Sequence, residues 1–503
     1  IASAYGAIWG AVNVAASLKR RDQSGEGGYV ELPLFSAALT VLARKLLSLS
    51  DQRLLDPLTL PHLPLAEIFE CSDGRFVQSH GNSARFVNAL CEAVGHPEWR
   101  EDAVAGLNLL PDREAVQEWN RRFAIALRQR PAMEWENAIN ALSGACTVCR
   151  TRVEWVAVEH AHKSQIISET DFGSAADDIV VSAGVRIFSF ERNLPVQKDA
   201  FCSPKPASVD TAVALGSRGN LPLAGLRVID FAIILAGPTC GRTLAELGAE
   251  VIKIDVVERP STPYAWLDVN RGKRSILIDL KQPAGLEIAL RLVATADVLV
   301  ENHRAGKLAK LGLGFVEAAH LRPNIVYASL NAFDFGGPWI QRAGWEHNAQ
   351  AATGMQMARA EGDVPKMVPV PVNDYSTGLL GAYGVLLGLR HAQATGKAVW
   401  VTGSLARSAS FIQSGELTAV SAGVEHLTGP ATQAFQCCDG WVRAVVGNSS
   451  VAAKIDALIG TIPQLNCDAV ISMLRSNDIS AVLERTVADL QADKILDDAG
   501  LQV

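Results

Sequence analysis

The spacing of apolar positions divides the chain into stretches of two periods. Residues 1–18 carry small and apolar side chains on every side and predict a buried helix that gives way at Lys19–Asp22. Ser24-Gly25-Glu26-Gly27-Gly28 predicts a turn, Tyr29-Val30-Glu31-Leu32 a strand, and the residues after it a helix to about Leu49. A Pro/Leu-rich loop over 57–65 leads to a predicted hairpin, Ile68–Cys71 against Arg75–Gln78, turning at Ser72-Asp73-Gly74. Trp, Leu and Ala at three- and four-residue spacing predict helices to about Ser164. Residues 203–221, rich in Pro, Ser and Gly, predict a linker.

A different pattern starts at Gly225. Gly225–Phe231 reads as a buried strand, Ala236-Gly237-Pro238 opens a helix ending near Gly248, and Ala249–Asp255 is the next strand. That is a βαβ unit with the right-handed crossover as default. Further strands are predicted at Arg274–Asp279, Ala296–Glu301 and Asn324–Ser329, with a helix over Gly285–Ala294. The pattern predicts an α/β fold with a doubly wound, Rossmann-like large domain and a smaller α+β domain. No GxGxxG follows the first strand, so the usual NAD fingerprint is absent.

Residues 371–390 predict a buried helix with Asp374 at its N-terminal mouth, and Gly378 leaves room there for another backbone or a ligand. Asp is among the best helix N-caps, so capping alone would account for it.

Self-similarity changes that picture. Residues 394–401 resemble 23–30, Ser408-Ala409-Ser410 resembles Ser36-Ala37-Ala38, Phe435–Gly440 echoes Phe69–Gly74, and Gly447-Asn448-Ser449 echoes Gly81-Asn82-Ser83. Order and spacing agree over about 100 residues. Residues 1–202 thus read as the back half of a first unit, 203–221 as linker, and 222–503 as a second unit. Ungapped alignment of the two apolar helices sets Ser3 opposite Asp374. A cap would tolerate Ser, whereas a nucleophilic carboxylate would leave only the second unit active.

Bulk properties narrow the function. A chain of 503 residues is too long for one core. A net charge of −7 without a large basic block argues against nucleic-acid binding. No apolar run is long enough to span a membrane. The basic residues follow the apolar start, the reverse of a secretory signal, and a cytoplasmic location is expected. There is no initiator Met, so the natural protein is expected to begin upstream. Nine cysteines do not make a disulfide framework, and Cys146/Cys149 lack a second pair at zinc spacing, so no metal is expected.

The second unit resembles the family III CoA-transferases, the group that includes formyl-CoA transferase, carnitine CoA-transferase and α-methylacyl-CoA racemase. Leu223–Pro238, Leu247–Ile254, Asn270–Ile276, Asp279–Lys281, Val300–Asn302, Leu311–Leu313, Asn324–Tyr327, Gly337-Pro338 and Asn373–Gly378 carry the likeness, and the back half recurs over 1–170. The resemblance implies two units interlocked like links, either as a homodimer or as a pseudo-dimer within one duplicated chain whose first copy is incomplete. It implies acyl-CoA and carboxylic acid as substrates and coenzyme A as the group carried. It also makes Asp374 the nucleophile, passing through a mixed anhydride and an aspartyl-CoA thioester. Lys273, Arg274, Asn302, His303 and Arg304 match the region that holds the nucleotide part of CoA; a solvated turn is the plainer reading of Lys273 and Arg274, and His303 could stack on adenine or simply pack.

Departures bear on chemistry. Ala232-Ile233-Ile234-Leu235 stands where the oxalate-using transferases are polar, which favours a larger or more apolar acyl group. Glu258–Thr262 replaces a usual Gly-Asp, Trp345 replaces the racemase's base histidine, and the glycine-rich loop is not recognisable near Leu427–Pro430. An acyl-CoA racemase or isomerase, a coupled transferase–lyase, and a non-catalytic CoA-binding protein are the alternatives.

Overall fold

The computed structural model describes residues 1–43, 65–81, 83–103, 113–170, 178–182, 184–190, 221–256, 267–421, 423, 431–446, 449–486 and 489. The 57–65 loop (save Leu65), the 203–221 linker (save Leu221), Glu258–Thr262 and Leu427–Pro430 lie outside these residues. The chain divides into a larger unit, residues 1–44 and 49–422, and a smaller one, 45–48 and 423–503.

Within the larger unit, β1 (Ile68–Glu70), β2 (Phe76–Ser79) and β3 (Cys146–Val148) form an antiparallel sheet in that order. The predicted hairpin is there, with Ile68 opposite Gln78 and Glu70 opposite Phe76. β3 was hidden in a stretch read as helical, being three residues long between helices. β4 (Ile167–Thr170) and β5 (Asp178–Val181) form a separate antiparallel ribbon.

The main sheet contains β6 (Val185–Ser189), β7 (Arg227–Asp230), β8 (Glu250–Asp255), β9 (Arg274–Leu277), β10 (Val298–Glu301), β11 (Val326–Asn331) and β12 (Val399–Ser404), in the order β6-β12-β11-β10-β7-β8-β9. Strands β7 to β12 are parallel; only β6 runs antiparallel, on β12. Counted from β7, the parallel part has the order 3-2-1-4-5-6, the doubly wound arrangement the βαβ pattern predicts. Its direction reverses between β7 and β10, which opens a crevice beyond their carboxyl ends. β6 comes from the stretch before the linker, so the sheet is not built from residues after 222 alone.

Helix Val372–Thr395 is buried nearly all round, against β11, β12 and helix Ala236–Glu246. Gly378 makes this approach feasible: a Cβ there would lie 2.6 Å from the Ala236 carbonyl oxygen. Helix Ala2–Ser24 packs on the same helix. The two match residue for residue to their ends, where Gly25 (φ 76°) and Gly396 (φ 68°) take the left-handed conformation that favours glycine. Lys19 Nζ donates to Gln393 Oε1 at 3.0 Å, and Arg390 Nε donates to Asp22 Oδ2 at 3.0 Å. In the ungapped alignment Lys19 matches Arg390 and Asp22 matches Gln393, so the two contacts exchange partners as in a two-fold interface.

Tyr29–Leu32 is not a strand in the structure, and Tyr29 is 87 % exposed. Its counterpart in the repeat belongs to β12, which has β11 and β6 beside it. No strand pairs with it among the described residues, and apolar alternation alone does not make a strand.

The smaller unit is another antiparallel sheet, β13 (Ala431–Gln436), β14 (Trp441–Val446) and β15 (Ala481–Glu484). Its order of hairpin, helix, 3₁₀ turn, helix and strand parallels that around β1–β3, which has one helix more. The turn aspartates of the two hairpins act alike. Asp73 accepts from the N–H of Ala132 at 3.2 Å, and Asp439 from that of Cys467 at 2.8 Å, each opening the helix before the third strand.

Candidate functional site

Asp374 is the third residue of helix Val372–Thr395, not its N-cap; Pro371 holds that place, without a side-chain cap bond. The cap comes from Glu346, at the start of helix Glu346–Ala352. One carboxylate oxygen, Oε1, accepts from the backbone N–H of Asn373 (3.2 Å), Asn373 Nδ2 (3.0 Å) and Gln350 Nε2 (2.8 Å). The other, Oε2, accepts from the backbone N–H of Asp374 at 2.7 Å. Glu346 is buried, so these four donors replace the water it gave up. The capping explanation of Asp374 is thereby replaced: Glu346 satisfies the first-turn N–H groups, and the half-buried Asp374 carboxylate sits on a helix mouth whose dipole favours negative charge by about 0.3–1 kcal/mol.

The first turn is fixed from two further sides. Tyr375 donates its hydroxyl to Asp268 Oδ2 at 2.6 Å, and Asp268 Oδ1 pairs with Arg242 Nη1 at 2.6 Å. From helix Ala2–Ser24, the buried Tyr5 donates its hydroxyl to the Val372 carbonyl at 2.5 Å. Burial, followed by the charge of Glu346, holds the Tyr5 phenol well above its ordinary pKa, so it stays a neutral donor. Sequence reasoning missed both Glu346 and Tyr5. Glu346 was read only as part of the Ala343–His347 segment, and nothing local to Tyr5 announces a partner 367 residues away.

At the crevice, Asn302 clasps the loop after β7: its Oδ1 accepts from Ile233 N–H and its Nδ2 donates to Ile233 O, each at 2.7 Å. The next residue, Ile234, has φ 70°, an outlying conformation for a β-branched side chain that survives only where its surroundings impose it. Leu235 is buried in the cluster of Tyr5, Val372 and Tyr375, with Ile234 packed against it. The apolar run after β7 is thus largely core, which accounts for it without an apolar acyl group.

The CoA-region candidates separate. Lys273 is buried, and its Nζ donates to Asp230 Oδ2 (2.7 Å), Pro238 O (2.8 Å) and Asn270 Oδ1 (3.1 Å), which occupies all three of its donors. Phosphate contact by Lys273 is not what this geometry offers; it locks β7 to the helix behind it. Arg274 is largely exposed and pairs with Glu250 at 2.8 Å. His303 is buried beside Glu301, its Nδ1 3.4 Å from Oε2, an arrangement of packing rather than open stacking. Arg304 is half-buried, and burial followed by the charge of Arg85 pulls its pKa down. Arg85 follows β2 and lies over the ring of Phe86.

The β2 end meets the Glu346 segment directly. Asn348 Nδ2 donates to Gln78 O (3.1 Å) and Gln356 Nε2 to Gln78 Oε1 (2.8 Å). His80 stands edge-on to Trp345 at 4.8 Å and to His347 at 5.8 Å. Burial, then the nearby His347, keeps the His80 imidazole well below its ordinary pKa and hence neutral.

Cys146 and Cys149 are both buried thiols, and burial raises the pKa of each. Among the described residues no His/Cys/Asp/Glu group could hold a metal ion, and no helix is long and apolar enough to cross a membrane.

Comparison with known proteins bears on this arrangement. The sequence pattern described as CoA-transferase family III matches residues 1–200 and 223–499. The chain is 30% identical over 315 residues to the succinyl-CoA–L-malate CoA-transferase beta subunit of Chloroflexus aurantiacus, covering 56% of this chain and 76% of that one. It is 33% identical to the human succinyl-CoA:glutarate CoA-transferase, covering 48% of this chain and 60% of that one. It is 36% identical to the succinate–glutarate CoA-transferase of Agrobacterium fabrum, spanning 49% of that protein's length. A solved structure of a CAIB/BAIF family protein from Brucella suis superposes with a TM-score of 0.51 at 28% identity, covering 56% of this chain and 89% of that one.

Proposed function

The chain belongs to CoA-transferase family III, and from that premise we propose that it moves CoA from an acyl-CoA thioester to a carboxylic acid, with Asp374 as the nucleophile. The observation that carries this reading is the transfer of the capping duty to Glu346. A carboxylate in the first helical turn, whose backbone N–H is held by Glu346 and whose charge the helix dipole favours, is set up for attack.

In this mechanism an Asp374 oxygen attacks the thioester carbonyl. The C–S bond breaks, CoA leaves as thiolate, and an aspartyl–acyl anhydride remains. The thiolate attacks the aspartyl carbonyl, the bond from that carbon to the bridging oxygen breaks, and the first acid departs as its carboxylate, leaving an aspartyl-CoA thioester. The acceptor carboxylate attacks that thioester and expels the thiolate, which takes the acceptor's acyl carbon and restores the Asp374 carboxylate. Each step is an acyl exchange, and no redox partner enters.

The named relatives act on succinyl-CoA, malate and glutarate, and a short dicarboxylic acid is the substrate class this reading adopts here. Tandem duplication belongs to the same reading: the exchanged contacts between helices Ala2–Ser24 and Val372–Thr395, and the like order of the two small sheets, support a pseudo-dimer in one chain. The test is exchange of labelled CoA between an acyl-CoA and a free dicarboxylic acid. Exchange by the wild-type chain, lost in Asp374→Asn, is the expected result; full exchange by Asp374→Asn would overturn it.

A further inference from the structure

Two polar atoms beside the Glu346 segment have no hydrogen-bond partner among the described residues: Nδ1 of His80 and Nε1 of Trp345. Both belong to rings in edge contact at 4.8 Å, and His80 is only 2 % exposed. A buried imidazole nitrogen and a buried indole N–H left unpaired are costly unless something supplies the missing partners. Trp345 directly precedes Glu346, whose carboxylate holds the backbone of Asp374 at 2.7 Å. Trp345 is therefore the residue next to the group that holds the Asp374 backbone, and the His80 ring lies against it.

A further imidazole and one cation lie close by, beside the neighbouring rings. His347 presents a second imidazole at 5.8 Å from His80. Phe86 stands edge-on to Trp345 at 6.1 Å and carries the Arg85 guanidinium over its face. The copy of this hairpin in the smaller unit has none of this. With Gly81 aligned to Gly447, Val446 stands for His80, Ala444 for Gln78 and Val451 for Arg85. The polar set belongs to the hairpin whose Gln78 binds Asn348 and Gln356.

We propose that His80, together with Trp345 and His347, forms a subsite that receives the distal carboxylate of a dicarboxylic substrate while its other end reacts at Asp374. His80 and the neighbouring Trp345 come from opposite sides of the linker, so the subsite is complete only where the two stretches of chain meet. The indole N–H donates to one carboxylate oxygen and the imidazole to the other. This assignment rests on the transferase reading and adds the residues that select the acid.

The experiment uses the full chain, a monocarboxylyl-CoA donor, and two acceptors of equal length, glutarate and valerate. The variants are His80→Phe, which keeps the ring contact but removes both nitrogens, and His80→Gln, which keeps a hydrogen-bonding group. The expected result is that His80→Phe lowers the ratio of kcat/KM for glutarate over valerate by roughly tenfold or more, chiefly through the KM for glutarate, and that His80→Gln restores part of it. If His80→Phe leaves the ratio unchanged, or lowers both acceptors equally, His80 only packs and the subsite is wrong. A wild-type chain that exchanges CoA but does not prefer glutarate would overturn the subsite while leaving the transferase reading intact. A wild-type chain that exchanges CoA with neither acid would overturn both.

Discussion

Glu346 carries the sharpest consequence at the scale of single residues. Its side chain accepts from four donors, two of them backbone N–H groups of the helix that presents Asp374. Glu346→Gln keeps the volume but replaces one acceptor oxygen with a donor facing N–H groups. The expected cost is about 1–3 kcal/mol in stability. On the role proposed for Asp374, turnover is expected to fall roughly tenfold to a hundredfold, since misplacing a reacting group by about an ångström has that effect. Thermal unfolding and steady-state kinetics on one preparation read both, and wild-type kcat in the variant would refute the positioning role. His160 makes a pH prediction. Its ring is stacked on Trp339 at 4.9 Å, its Nδ1 accepts from the Trp339 N–H at 3.2 Å, and its Nε2 donates to the Phe333 carbonyl. Burial pushes its pKa down to about 4. The unfolded chain therefore binds the proton first. The stability due to neutral His160 is complete above about pH 6.5 and is lost as the pH falls towards 4, on the order of 3 kcal/mol in all. Denaturant unfolding at pH 7 and pH 5 should show a loss that is smaller in His160→Gln.

Helix Val372–Thr395 shows, at the scale of elements, what a sequence discloses and what it withholds. Its apolar content and small residues announced a buried helix, and Gly378 announced a close approach, which proves to be to Ala236 and Thr239. Gly378→Ala should cost about 1–3 kcal/mol, because the backbone carbonyl 2.6 Å from the new methyl cannot swing away. A melting temperature equal to wild type would mean the two helices part more easily than this packing implies. The strands of the main sheet were legible because each is a short apolar run punctuated by turn residues. β3 and β6 were not, because strand identity there is conferred by partners far along the chain. Tyr29–Leu32 fails for the converse reason, having the pattern of a strand and, among the described residues, no strand beside it. Lys273 and Asn302 had the right chemistry for a ligand, but their hydrogen bonds are taken up by the loop and helix around β7. Only three dimensions could show that.

The stretch before the linker and the stretch after it are stitched together at the scale of the larger unit. Asp334, fully buried, binds Arg407 Nε at 2.6 Å and Arg186 Nη2 at 2.7 Å. Arg407 also donates to Ser164 O (2.8 Å) and Gln165 O (3.1 Å). Arg407→Met would leave Asp334 with one charged partner and take one donor from each of the Ser164 and Gln165 carbonyls, the latter keeping Ser182 Oγ, and is expected to destabilise the fold by about 3–5 kcal/mol. Denaturant unfolding of the variant beside wild type reads that loss. A variant as stable as wild type would show the network to be dispensable. The likeness of the two apolar helices was legible as order and spacing, but the contacts Lys19–Gln393 and Arg390–Asp22, on which the proposed duplication draws, required the structure.

Whether Asp374 carries CoA during turnover is tested most directly by intact mass. The full chain is incubated with succinyl-CoA, quenched in acid, and split between a direct measurement and a hydroxylamine treatment. The expected result is a covalent CoA adduct that hydroxylamine converts to a hydroxamate, mapping to the peptide that contains Asp374 and absent from Asp374→Asn. CoA exchange with no adduct, or an adduct on any other carboxylate, would contradict the assignment of Asp374 as nucleophile.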